Sequence, residues 1–295
     1  MKPLLGWKVW LALGFIFFAA LAQAGDRLPL WEADNGQSRI YLFGSIHVCK
    51  ASCFPLPKAM EKRLATSQAL VVELDPRKPE TQIKLLEAAR LPEGQSLQTL
   101  LPATDWEMLK QVSEQLGLPR EFVAGLRPWM AGTMLTLLSA QHSGFETEQG
   151  VDLAVIQKAS AQGLSLEELE TVEEQIAALG AGSALEQREA LSQSLAFLRE
   201  GKMAAYLDQL LEAWKRGDEE RLQPLLDEGL KHDSEIYLAL FDRRNLRMAE
   251  RLDKAMRDRR SRFVVVGIGH LVGPKGIPAL LARRGWKLRQ LEASE

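Results

Sequence analysis

The chain has 295 residues, is 46% hydrophobic and 26% charged, and carries a formal net charge of −2. That length and apolar share support a sizeable core, as one large domain or a domain with an inserted lobe. The faintly acidic balance, −4 once Lys2 and Lys8 are lost with a leader, excludes the basic footprint of a nucleic-acid binder.

Lys2 and Lys8 precede an uncharged apolar run from Val9 to Leu21, and Ala22-Gln23-Ala24 forms an A-x-A cleavage signature before Gly25. This reads as a secretory signal peptide over 1–24, leaving 25–295 as a periplasmic or secreted domain. The run falls short of the roughly 20 residues of a membrane span, so membrane attachment would come only through an uncleaved anchor.

Pro29–Ala33 and Ser38–Phe43 read as strands around Asn35-Gly36, a strong hairpin signal. Pro57–Gln68 reads as a helix and Ala69–Asp75 as a buried strand stopped by Pro76, so strand, helix and strand predict a crossover and a parallel pair. From Pro79 to Gly163 the pattern is mainly helical. Thr104-Asp105 is the expected cap of a helix ended by Gly117, Pro128 bends or restarts the apolar stretch Glu121–Ser139, and Val151–Ala161 is amphipathic. Leu164–Glu170 fits strand or helix; the capping box Thr171-x-x-Glu174 after it favours a strand. Ala184 to Arg260 is helical, with breaks near Gly201, Gly217 and His232-Asp233. The basic stretch Arg243 to Arg262 is interleaved with Glu250, Asp253 and Asp258, as on a solvated, salt-bridged face. Arg262–Ile268 is a strand, Ile277–Arg284 a helix and Trp286–Leu291 a last strand. The fold class expected is α/β: a mixed sheet formed from N- and C-terminal segments, with a large helical lobe, roughly 79–260, between them.

Gly44-Ser-Ile-His47 and Gly267-Ile-Gly-His270 each follow an apolar, β-branched run, and they use two of the four histidines. Two such strands in one sheet aim two imidazoles at one point, as in a metal site or an acid–base pair. Two separately satisfied strand-end histidines would give the same spacing. Glu73, within Val71-Val72-Glu73-Leu74, is a charge in a strand expected to be buried, which calls for an arginine partner or a cation. Glu170 is either a second carboxylate for the same edge or a helix-dipole partner. Arg244-Asn245 would suit a substrate carboxylate or a developing oxyanion, against the default of solvated surface. Cys49 and Cys53, the two cysteines, lie just after His47. In an exported protein they read as a disulfide stiffening that loop, with C-x3-C metal binding as the competing idea. Gly267-x-Gly269-x-x-x-Gly273 misses dinucleotide spacing, and no G-x-S-x-G, H-E-x-x-H or Walker pattern occurs.

Five blocks occur in order: Tyr41-Leu-Phe-Gly-Ser-Ile-His-Val48, Leu70-Val-Val-Glu-Leu74, Leu169-Glu-Thr-Val-Glu-Glu-Gln175, Arg244-Asn-Leu-Arg-Met-Ala249 and Val264-Val-Val-Gly-Ile-Gly-His-Leu-Val-Gly273. Together they resemble the TraB/GumN family, related to the Tiki proteins, over essentially the whole mature chain. The resemblance implies an α/β fold shared distantly with erythromycin esterases and haem-binding ChaN-like proteins. Tiki relatives are metal-dependent proteases that clip the N-terminal end of Wnt signals. By motif, it implies His47, His270 and Glu73 as metal ligands. Arg244 and Asn245 would support those ligands or orient substrate, and Glu170 matches a block of less defined role. Ser45 stands where relatives commonly have Thr.

The leading expectation is an exported, metal-dependent hydrolase of peptidase type. His47, His270 and Glu73 hold a divalent ion (manganese, cobalt or zinc), Glu170 takes a proton from water, and Arg244, beside Asn245, steadies the oxyanion. The partner expected is a peptide or protein substrate. The alternatives are a non-catalytic periplasmic binder of haem, metal or a signalling peptide, and a metal-free esterase using a histidine base.

Overall fold

The computed structural model describes residues 27–228, 231–255 and 258–295. The leader expected over 1–24 lies outside them. A six-stranded mixed sheet forms from β1 (Arg27–Asp34), β2 (Arg39–Ser45), β3 (Ala69–Val72), β4 (Ser165–Glu168), β5 (Arg262–Gly267) and β6 (Lys287–Glu292) in the order β4-β3-β5-β2-β1-β6. Four neighbours run parallel, β2, β5, β3 and β4, while β1 pairs antiparallel with β2 and β6. The α/β class and a sheet built from both ends of the chain are as the sequence predicts.

The β1–β2 hairpin follows from its turn residues. Asp34 Oδ1 accepts the Gly36 N–H at 2.6 Å, Asn35 Oδ1 accepts those of Gln37 and Ser38 at 2.9 and 2.8 Å, and Gly36 takes a φ of +83°. The valine run of β5 is buried, as a central parallel strand covered on both faces requires. The edge strands β4 and β6 carry the sheet's more exposed, charged residues.

One expectation fails. β2 and β3 run parallel but do not pair, because β5, almost 200 positions further along the chain, inserts between them: Tyr41 and Leu70 both lie opposite Phe263. A local strand–helix–strand pattern fixes direction and leaves open which distant strand intervenes.

The crossover helix is α1 (Lys58–Ala65). After β3 come α2 (Pro79–Ala88), α3 (Leu97–Leu100), α4 (Ala103–Gln115), α5 (Arg120–Ala124), α6 (Pro128–His142) and α7 (Val151–Ala161). Pro128 restarts the chain as the first residue of α6, while Pro102, not Thr104, precedes α4. After β4 follow α8 (Val172–Leu179), α9 (Ala184–Arg199), α10 (Met203–Lys215), α11 (Glu219–Asp227), α12 (Glu235–Tyr237), a π-helical turn over Leu238–Asp242, and α13 (Arg243–Ala255). α14 (Ile277–Ala282) leads into β6. No helix among the described residues is long and apolar enough to cross a membrane.

The two G-x-x-H segments interlock. A Cβ on Gly44 would overlap the Ile268 side chain and come within 3.2 Å of its Cα. Trp214 Nε1 donates to the Gly44 carbonyl at 2.7 Å from the other direction. Gly44→Ala is therefore expected to cost about 1–3 kcal/mol through overpacking, read as a lower denaturant midpoint.

Candidate functional site

The parallel strands end along one edge of the sheet, where open α/β sheets bind ligands. β3 stops at Val72, so Glu73 is the first residue beyond its end. β4 likewise stops at Glu168. Leu169 then donates to the Val72 carbonyl at 2.8 Å and Glu170 to that of Glu73 at 2.9 Å. The loops after β2 and β5 bring His47 and His270 to the same edge. An added methyl on Gly267 would lie 3.4 Å from Glu73 Oε1, 3.7 Å from His47 Nε2 and 3.8 Å from His270 Cδ2. Three residues far apart in sequence thus share one small space, which a side chain at Gly267 would invade.

Each histidine is held from behind. His47 Nδ1 donates to Asp152 Oδ2 at 3.2 Å. Asp152 is in the first turn of α7, which docks closely here: Val151 donates to the Ile46 carbonyl at 2.9 Å, and a Cβ on Gly150 would come 2.6 Å from the His47 carbonyl. His270 Nδ1 donates to Asn245 Oδ1 at 2.6 Å, and Asn245 donates in turn to the Lys275 carbonyl at 3.0 Å, which fixes the amide. With both Nδ1 atoms engaged, each Nε2 is turned toward the shared space.

The two rings are tuned in opposite directions. The Asp152 bond pushes His47 up to about 9. Burial pushes His270 down to about 4, so it is neutral at pH 7. Burial would also raise the Glu73 carboxyl, but nearby His270, Arg244 and His47 and the Gly267 N–H outweigh it and bring it to about 2. Glu73 Oε1 accepts from Gly267 at 2.6 Å and lies 3.7 Å from His270 Nε2, while Oε2 accepts from Arg244 Nη2 at 2.6 Å.

Arg244 bridges the two carboxylates. Its Nε donates to both Glu170 oxygens at 3.0 and 2.9 Å, and Nη2 reaches Glu170 Oε2 at 2.6 Å. The π turn before α13 presents the Leu240 carbonyl to Nη1 at 3.3 Å. Burial works against the guanidinium charge, and Glu170 and Glu73 more than restore it. The Glu170 side chain is fully buried, with Arg247 3.7 Å away. The sequence expectation of Glu170 as proton acceptor and Arg244 as oxyanion holder therefore meets a different arrangement: both are committed to an ion-pair triad with Glu73. Asn245 faces His270.

A cavity of about 380 Å³ opens at this edge, with His47, Glu73 and Asp152 among its lining and Leu74, Leu85, Leu137, Ile156 and Val266 along its walls. Asp152 was missed by sequence reading; the signal for it is Gly150-x-Asp152 at a helix start, glycine for the close approach and Asp for the first turn. Cys49 and Cys53 form a disulfide with a Cα–Cα distance of 6.3 Å, and Cys49 exchanges backbone hydrogen bonds with Glu146 at 3.1 and 2.8 Å. The loop after His47 is thereby braced against the segment that leads into α7.

Among the described residues no group of three or more His, Cys, Asp or Glu is gathered to hold a metal ion. The donor chemistry at the edge nonetheless fits a divalent cation: two imidazole Nε2 atoms, each oriented through Nδ1, and an ionised carboxylate.

The chain is 28% identical over 251 residues to the uncharacterized protein YbaP of Escherichia coli K12, spanning 83% of this chain and 89% of that protein, with the same figures for YbaP of Shigella flexneri. It is 25% identical over 304 aligned positions to the zebrafish (Danio rerio) metalloprotease TIKI2, covering 86% of this chain and 59% of that protein. No solved structure matches. The profile of the TraB/PrgY/gumN family matches residues 29–290, nearly the whole described chain and all five of its ordered sequence blocks, and the chain belongs to that family.

Proposed function

We propose that the protein is an exported, metal-dependent hydrolase that acts on peptides. One observation carries this reading: His47 Nε2, Glu73 Oε1 and His270 border one space beside Gly267. His47, His270 and Glu73 would hold the ion, with manganese, cobalt and zinc all compatible with nitrogen and oxygen donors. When bound, it supplies Lewis-acid polarisation of a carbonyl and a lowered pKa for water. The chain's own residues prepare that site. Arg244 keeps Glu73 ionised, burial keeps a lone pair on His270, and Asp152 and Asn245 hold the two rings in register. Glu170, bound to Arg244, positions the guanidinium and takes no part in proton transfer. The kinship with the zebrafish metalloprotease supports the hydrolase reading at a distance. The A-x-A leader signature and the disulfide support export to an oxidising compartment.

The test is metal content by mass spectrometry on protein purified without a histidine tag and dialysed against trace divalent ions. About one ion per chain is expected in the wild type. His47→Ala and His270→Ala should each lose it while remaining folded by circular dichroism. Folded variants that keep the wild-type content would overturn the ligand assignment. An empty wild type would move the binder of haem or a signalling peptide ahead of the hydrolase.

A further inference from the structure

The cavity beside His47 and Glu73 is chemically lopsided. Its charged groups, His47, Glu73 and Asp152, are those of the candidate site, and the rest of its lining is neutral and mostly aliphatic. Two features mark it as built for a ligand. Ser45 is 1% exposed and lines the cavity, yet its Oγ has no hydrogen-bond partner. A buried hydroxyl left unpaired is costly unless something that enters the site pairs it. The second feature is α6, a mostly apolar helix over Pro128–His142. Its Ala131 and Leu135 are buried and it packs on α9, while Leu137 is left half-buried at the cavity wall. Leu137 joins Val72, Leu74, Leu85, Ile156 and Val266 in one apolar lining around the opening.

We propose, on the reading of this edge as a peptide hydrolase's site, that the cavity is its specificity pocket. It takes one large apolar side chain (leucine, methionine or phenylalanine) of the residue next to the cleaved bond, and Ser45 Oγ, buried in its wall, hydrogen-bonds the substrate that enters. About 380 Å³ falls within the roughly 300–1,000 Å³ range of ligand pockets, which leaves room for a large side chain together with part of the backbone that carries it. Leu85 from α2 and Leu137 from α6 both line the cavity, on helices separate from the ligand-bearing loops. They can be altered without touching His47, Glu73 or His270.

The test uses blocked hexapeptides identical except for one central residue, which is Leu, Phe, Gly, Asp or Lys. Binding to metal-free protein is measured by calorimetry, and cleavage with added manganese, cobalt or zinc by mass spectrometry. Leu and Phe peptides should bind on the order of tenfold or more tighter than the Gly, Asp and Lys peptides. Leu85→Asp and Leu137→Asp, each checked for folding and for wild-type metal content, should erase that preference. Equal binding of all peptides, no binding of any, tighter binding of decanoate than of the Leu peptide, or a preference that survives in both folded variants would overturn the assignment. Cleavage without apolar selectivity would overturn it while leaving the hydrolase standing. Apolar-selective binding with no cleavage would uphold the pocket and sink the hydrolase.

Discussion

Arg244→Met is expected to lower the unfolding free energy by about 3–5 kcal/mol, the cost of breaking a buried ion-pair network on one side. The guanidinium is 7% exposed and stands between Glu170 and Glu73. Methionine fills much of the same volume, so the loss is electrostatic: Glu73 and Glu170 lose the guanidinium between them, and Arg247, 3.7 Å from Glu170, compensates only in part. In thermal unfolding this is a drop on the order of 10 °C. The loss should shrink as pH falls toward 5, because Glu73, without the Arg244 charge that helps hold it down, regains its proton at a higher pH than in the wild type. Glu170→Gln should cost less, since Arg244 keeps Glu73 as its partner. Adding Glu170→Leu to Arg244→Met should recover part of the loss, because an apolar pair replaces an uncompensated charge. A single-variant cost below about 1 kcal/mol, the range of an exposed pair, would mean that the triad is solvated and that Glu73 is not held ionised by Arg244.

That triad marks the limit of what the sequence discloses. The local features were legible because local chemistry dictates them: the Asn35-Gly36 hairpin, the capping box Thr171-x-x-Glu174, the restart at Pro128 and the disulfide after His47. The capping box Ser183-x-x-Glu186 has the same local logic and opens the helical run that begins at Ala184. The strand order was not legible, because the insertion of β5 between β2 and β3 is a long-range pairing that neither neighbour announces. The histidines and Glu73 were legible as candidates because polar groups at the ends of apolar runs need a reason. What each one touches was not. Glu170 and Arg244 carry motif positions suited to chemistry, yet their distances make them a brace. Asp152, 105 positions from His47, has no sequence link to it until α7 folds against that loop.

In the metal-free protein the two motif histidines are expected to titrate at opposite ends of the accessible range, His47 near 9 and His270 near 4. Side-chain nitrogen NMR across a pH series reads both directly. Asp152→Asn, which removes the carboxylate behind His47, should bring that ring back toward the ordinary 6.5 and leave His270 where it is. The split has a consequence for stability. His47 binds its proton more tightly in the folded chain, so its contribution is full below 6.5 and fades as pH rises through 9. His270 and Glu73 are depressed, so theirs are full above 6.5 and 4.5 respectively and fade as pH falls through about 4 and about 2. The His47 share is the smaller one, because 66% of its side chain is exposed and solvent screens the pair with Asp152. The split also makes metal uptake a proton-releasing event. At pH 7 His270 can offer its lone pair at once, whereas His47 must first give up a proton, so binding should release about one proton per ion. Apparent affinity should therefore rise about tenfold per pH unit up to the His47 value and flatten above it. Asp152→Asn moves that break point down by the amount NMR finds for the ring. An affinity independent of pH between 6 and 9 would mean that His47 is already neutral in the metal-free state, and Asp152 would then orient the ring without charging it.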